Sequence, residues 1–197
     1  MKEKSTHEVD IDRVRADTPG CDSVLHFNNA GAGLMVRPVL NAVTKHLKLE
    51  AEIGGYEAAD AAKAAFEDTS RQLARFLNCS TKELALMENA TAAWQAAFYS
   101  LAHRFRPGDR ILTGEAEYAS NYIAYLQMAQ RSGVKIDVVP SSETGEFYLE
   151  AFENMIDKHV KLIAITHIPT NGGLVNPAAD IGRIARAASI PYLLDAC

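Results

Sequence analysis

Leu162-Ile163-Ala164-Ile165-Thr166-His167-Ile168 and the later stretch Pro191-Tyr192-Leu193-Leu194-Asp195-Ala196-Cys197 decide the fold. The four apolar residues that open the first stretch leave no room for a wet face. They predict a strand covered on both sides, the habit of parallel sheets flanked by helices. The second stretch is another apolar strand, Tyr192 to Asp195, and it closes on an acid. A carboxylate at the end of such a strand is costly unless a positive or well hydrogen-bonded group meets it. Asp195 is therefore a candidate site residue. Its plain structural alternative is an N-cap for a following helix.

Outward from these strands the pattern alternates. Leu84–Met87, Arg110–Thr113 and Val134–Val139 read as strands. Thr91–His103, Ser120–Arg131, Leu149–Lys158 and Ala178–Ala188 read as helices. Alternation at this spacing implies β-α-β units. Upstream, Val24–Asn28 predicts a short strand, Arg37-Pro38 opens a helix running to about Leu49, and Gly54-Gly55 breaks it. Ala62, Phe66, Leu73, Phe76 and Leu77 recur near helical spacing within a long amphipathic helix, Glu57–Leu77. Residues 1–23 are polar and read as an N-terminal arm. The expected architecture is α/β, a three-layer sandwich with a mostly parallel sheet.

The 197 residues suit one domain, or one and a fraction, and are 48% hydrophobic and 23% charged, ordinary globular values. The net charge of −5 argues against a nucleic-acid partner. The densest basic cluster, Arg104, Arg106 and Arg110, surrounds the turn signal Pro107-Gly108-Asp109. Cys21, Cys79 and Cys197 are dispersed and form no C-x-x-C, so neither a disulfide framework nor a metal site is indicated. The first ten residues lack the apolar run of a signal peptide, and no stretch approaches a membrane span. No membrane partner and a cytoplasmic location are the expectations.

Open α/β sheets bind ligands beyond the carboxyl ends of their strands, which selects four loops. Asn89-Ala90-Thr91 stands between a strand and a helix. The first amides of a helix lack intrahelical partners and, with the helix dipole, attract a phosphate; alternatively the segment is a simple N-cap. Glu117-Tyr118-Ala119-Ser120-Asn121 offers Tyr118 as a face for a planar ring, or as a half-exposed aromatic at a helix start. His167-Ile168-Pro169-Thr170-Asn171-Gly172-Gly173 offers His167 and Asn171 as donors, or a turn with incidental polar groups. Asp195 is the fourth. Gly31-Ala32-Gly33-Leu34-Met35-Val36 imitates a dinucleotide fingerprint, but Val36 stands where the third glycine belongs. Walker A, G-x-S-x-G and H-E-x-x-H motifs are absent.

On these residues the chain resembles the class V aminotransferase family of fold-type I enzymes dependent on pyridoxal 5′-phosphate (PLP). That family includes cysteine desulfurases, cysteine lyases and isopenicillin-N-epimerase-like proteins. The resemblance runs from about His26 to Cys197. It is carried by His26-Phe27-Asn28-Asn29-Ala30-Gly31, by Asn89-Ala90-Thr91, by Glu117 to Asn121, by Thr166 to Gly173 and by Leu194 to Cys197.

The resemblance implies that residues 24–197 form part of a PLP-binding large domain. Ala90 and Thr91 then match the phosphate-binding positions, and Asp195 the partner of the pyridine nitrogen. Tyr118 lies against the ring, and Asn171 near the phenolic oxygen or the substrate carboxylate, with Thr170 as the competing match. Asn29, Ala30 and Gly31 line the substrate pocket together with His167. The implied reaction is a PLP-dependent transformation of an amino acid by transamination, elimination (lyase) or epimerisation, in an enzyme that is a homodimer at full length.

Two departures stand out. Where desulfurases carry a ring-stacking histidine, this chain offers Tyr118 or Ala119, a form closer to the epimerase and lyase branches. The family's Schiff-base lysine, in a segment beyond the position of Cys197, has no counterpart here, so no catalytic residue is assigned. The expectation is an N-terminal portion inactive alone, with a noncatalytic remnant serving as an interaction module as the alternative.

Overall fold

The computed structural model of the chain describes residues 9–29, 32–170 and 173–197. It divides into two compact units, Met1–Ala85 and Leu86–Cys197.

The first unit is helical: α1 (Ile11–Ala16), α2 (Arg37–Ile53) and α3 (Gly55–Leu77), with 3-10 turns at Pro19–Asp22 and Thr81–Glu83. Asp10 caps α1 by accepting the Arg13 amide at 3.0 Å. The end of α1 is tied to the start of α2, because the Arg37 amide donates to the Asp17 carbonyl at 2.7 Å. Pro38 sits in the first turn of α2, where its missing N–H is not needed. The break between α2 and α3 falls at Gly54, whose φ of 94° and ψ of 154° favour glycine. Asn78 closes α3 in the left-handed conformation.

Two expected strands do not form. Val24–Asn28 carries no regular structure, and Leu25 and Phe27 are almost fully exposed. Leu84–Met87 likewise forms no ladder. Just before it, a capping box between Ser80 and Glu83 closes the 3-10 turn Thr81–Glu83. A short apolar run becomes a strand only when a partner strand lies beside it, and the described residues place none beside either segment.

The second unit begins with α4 (Ala90–Ala102) and continues β1 (Arg110–Gly114), α5 (Ala119–Ser132), β2 (Lys135–Val139), α6 (Leu149–Met155), β3 (Val160–Thr166), α7 (Ala178–Ala187) and β4 (Tyr192–Asp195). The strands form one parallel sheet in the order β2-β1-β3-β4. Alternate strand residues face opposite layers. Ile111, Leu162 and Ala164 pack with Trp94, Phe98 and Ala102 of α4 and Ala124 and Tyr125 of α5. Leu112, Ile163 and Ile165 pack with Phe152 of α6 and Ile181 and Ala185 of α7. Helices thus cover both faces of the sheet, the expected three-layer sandwich. Each large side chain so buried contributes about 1.5–3 kcal/mol relative to exposure.

The strand order also locates the site. From β1 the chain passes through α5 to β2 on one side. It then crosses back through α6, on the other face, to β3 on the opposite side of β1. The direction of travel therefore reverses between β1 and β3, and the crevice beyond their carboxyl ends is where such sheets hold ligands.

Candidate functional site

The helix α4 begins at the sheet's carboxyl edge. Asn89 caps it, its side-chain oxygen accepting the Ala92 amide at 2.9 Å, while the Ala93 amide bonds the Asn89 carbonyl at 3.0 Å. The amides of Ala90 and Thr91 have no partner among the described residues. Ala90, Ala93, Trp94 and Ala97 recur on one face of α4 and line a cavity of about 300 Å³ together with Leu193, Leu194, Asp195, Ala196 and Cys197. One cavity therefore has the positive tip of a helix, a strand-end carboxylate and apolar walls between them. Its volume is at the small end of the range for small-molecule sites.

The Asp195 carboxylate is held from two sides. Its Oδ2 accepts from Asn121 Nδ2 at 2.8 Å, and its Oδ1 accepts the Cys197 amide at 3.2 Å. The Asp195 carbonyl accepts the His167 amide at 2.7 Å, which fixes β4 to the loop after β3.

Beside it, at the β1/β3 reversal, lies a second cavity of about 430 Å³ lined by Glu115, Ala116, Glu117, Tyr118, Ala119, Thr166, Pro169 and Thr170. Glu117 gathers donors there. Its Oε1 accepts the Tyr118 amide at 2.7 Å and Asn121 Nδ2 at 3.1 Å, and it also accepts the Thr166 hydroxyl. Its Oε2 accepts the hydroxyls of Thr113 at 3.0 Å and Tyr125 at 3.3 Å. Burial, followed by the nearby Glu117 charge, pushes the Tyr125 phenol far above its ordinary pKa, so it stays a neutral donor. Asn121 joins the two acids, giving one side-chain N–H to Asp195 and the other to Glu117.

The sequence-derived residues distribute as follows. Ala90 and Asp195 line one cavity, with Thr91 next in the first turn of α4. Tyr118, half exposed, lines the neighbouring cavity together with Thr170, the alternative match to Asn171. His167 adjoins Asp195 through its backbone amide, and the side-chain amide of Asn176 braces the same loop by donating to the Thr166 carbonyl at 2.7 Å. Asn29 lies in the first unit, exposed. Ala30, Gly31 and Asn171 lie outside the described residues. Glu117 and Asn121 fall within the quoted motif but draw no role from the sequence reading. A usable signal existed: Thr113, Glu117, Asn121 and Tyr125 are polar at every fourth position across the end of β1 and the first turns of α5.

None of the lysines in this unit reaches the site. Lys135 starts β2 and pairs in register with Arg110, and Lys158 and Lys161 flank the start of β3, all at the amino edge of the sheet.

The family model for aminotransferase class-V matches residues 25–197. A probable cysteine desulfurase of Xylella fastidiosa (strain 9a5c) is 34% identical over 200 residues, covering 94% of this chain and 47% of that protein. The apo cysteine desulfurase of Thermococcus onnurineus NA1 has a similar fold, with a TM-score of 0.84 at 24% identity over 95% of this chain and 47% of that one. A variant C-DES structure with glycine covalently linked to its PLP cofactor gives a TM-score of 0.80 at 22% identity, over 92% of this chain and 49% of that one. The chain thus spans about half the length of the curated relatives it matches. With the family model covering the second unit and most of the first, the chain belongs to the class V aminotransferase family.

Proposed function

We propose that Leu86–Cys197 binds PLP in the cavity between α4 and β4 and serves a PLP-dependent transformation of an amino acid. The observation that carries this reading is the convergence of Ala90 and Asp195 on one apolar-walled cavity. A helix start suits the phosphate, a carboxylate suits a protonated pyridine nitrogen, and Trp94, Leu193 and Leu194 suit a flat ring between them. Bound there, PLP supplies an electron sink for bond cleavage at an amino acid's α-carbon. Ala90 and Thr91 orient its phosphate through their amides, and Asp195 keeps the ring nitrogen protonated. Tyr118, Thr166 and Thr170 border the adjoining space where an amino-acid substrate is accommodated.

Lys135, Lys158 and Lys161 stand at the wrong edge of the sheet to bond the cofactor. Residues 1–197, supplied with PLP and amino acids, are expected to turn them over no faster than free PLP, as measured by keto-acid or sulfide release. The working enzyme is read as a cytoplasmic homodimer in which the covalent lysine joins this half-site. Among the described residues, no helix is long and apolar enough to cross a membrane.

Binding is testable without that lysine. Pyridoxine 5′-phosphate lacks the aldehyde and does not label lysines, and Trp94, the sole tryptophan, lines the cavity. Titration is expected to quench Trp94 emission saturably. Asp195→Asn should weaken binding about tenfold or more, the loss of one charge-assisted bond. Quenching that never saturates, or that Asp195→Asn leaves unchanged, would remove the cofactor reading and favour a noncatalytic module.

A further inference from the structure

We propose that Asn121 is a positioning residue for Asp195: it fixes the carboxylate toward the cavity through a neutral donor and so leaves its charge for the ligand. The inference rests on the cofactor reading above and assigns a role to a residue outside the cavity lining.

Asn121 is fully buried, and its side-chain amide lies between two acids, 2.8 Å from Asp195 Oδ2 and 3.1 Å from Glu117 Oε1. Both N–H groups are committed, and both bonds require the acids to accept. An arginine or lysine in this place would also orient Asp195 but would form an ion pair with it, competing with a cationic ring nitrogen. An aspartate would add a third carboxylate. An amide alone among polar side chains of this size offers two donors without charge. Glu117 in turn holds the amide in place, because it is itself fixed by the hydroxyls of Thr113, Tyr125 and Thr166. These partners come from β1, α5 and β3, so the Asp195 orientation is set by two strands and a covering helix rather than by the end of β4 alone. Groups that orient a charged ligand-binding side chain in this way ordinarily affect affinity through that side chain.

The test is a double-mutant cycle in the full chain, read by Trp94 quenching with pyridoxine 5′-phosphate. Asn121→Ala is expected to weaken binding about tenfold, since Asp195 loses its orienting donor. In the Asp195→Asn background the same change should cost less than about twofold, because no carboxylate remains to be positioned. Asn121→Ser, which keeps one donor, should fall between and serves if the alanine variant does not fold. The near-ultraviolet band of the bound ring supplies a second reading: its pH of deprotonation should fall in Asn121→Ala, a change that loosened packing alone would not produce. Equal losses in both backgrounds, or an unmoved ring titration, would overturn the role of Asn121 while leaving the cofactor site standing. No saturable binding by the unsubstituted chain would overturn both.

Discussion

Glu117→Leu is expected to destabilise the Leu86–Cys197 unit by about 3–5 kcal/mol, as several buried donors each lose an acceptor worth about 1–3 kcal/mol. Thr113, Asn121 and Tyr125 are fully buried, and each gives a hydrogen bond to this one carboxylate. Leucine fills the volume but accepts nothing. Glu117→Gln keeps one acceptor oxygen and the shape, and should lose only about 1–2 kcal/mol. Urea unfolding followed by Trp94 emission separates them, because Trp94 stacks on Phe98 and meets Tyr125 in the same helix layer. Equal midpoints for the two variants would show that the acceptor role is not what Glu117 provides. The expectation has a functional side as well. The acid that holds this network is also the one that steadies Asn121, so its loss should loosen Asp195 before the sheet gives way.

How much of this was legible beforehand follows from range. β3 and β4 announce themselves through continuous apolar runs, the habit of parallel strands covered on both faces. Leu162–Ile165 and Tyr192–Leu194 were readable for that reason, and the helices between them through their spacing. Val24–Asn28 and Leu84–Met87 carry the same local signal yet remain irregular, since pairing depends on a neighbour that no local pattern encodes. The site divides in the same way. Ala90 and Asp195 stand out locally, one at a helix start and the other at a strand end, and the fold then brings them to one cavity. Asn121 does not stand out, because its partner Asp195 lies 74 residues away and an asparagine two residues into a helix ordinarily reads as surface. The four-residue spacing of Glu117, just before α5, with Asn121 and Tyr125 on one face of that helix is visible in the sequence. That the face turns toward the sheet is settled by Ala124 and Tyr125 packing against Ile111 and Leu162.

Phe152→Ala should lower the stability of the same unit by about 3–5 kcal/mol, the range for deleting a buried aromatic and leaving a cavity. Phe152 is fully buried, meets Phe147 edge-on with ring centroids 5.5 Å apart, and belongs to the layer formed by Leu112, Ile163, Ile165 and Ile181. It is the only buried residue of α6, a helix of 7 residues that is far too short to persist on its own. Losing it weakens the anchoring of the crossover between β2 and β3, and so lowers the stability of the whole sheet layer without altering the site in molecules that remain folded. Because Trp94 sits on the opposite face of the sheet, its emission reports whether the two helix layers melt together. A single transition, seen alike by Trp94 and by far-ultraviolet circular dichroism and shifted to lower urea, is the expected result. Pyridoxine 5′-phosphate should then bind the folded fraction with unchanged affinity, since Phe152 touches neither cavity. A loss below about 1 kcal/mol would mean that α6 can re-pack around the gap, against the near-crystalline packing expected of such a layer.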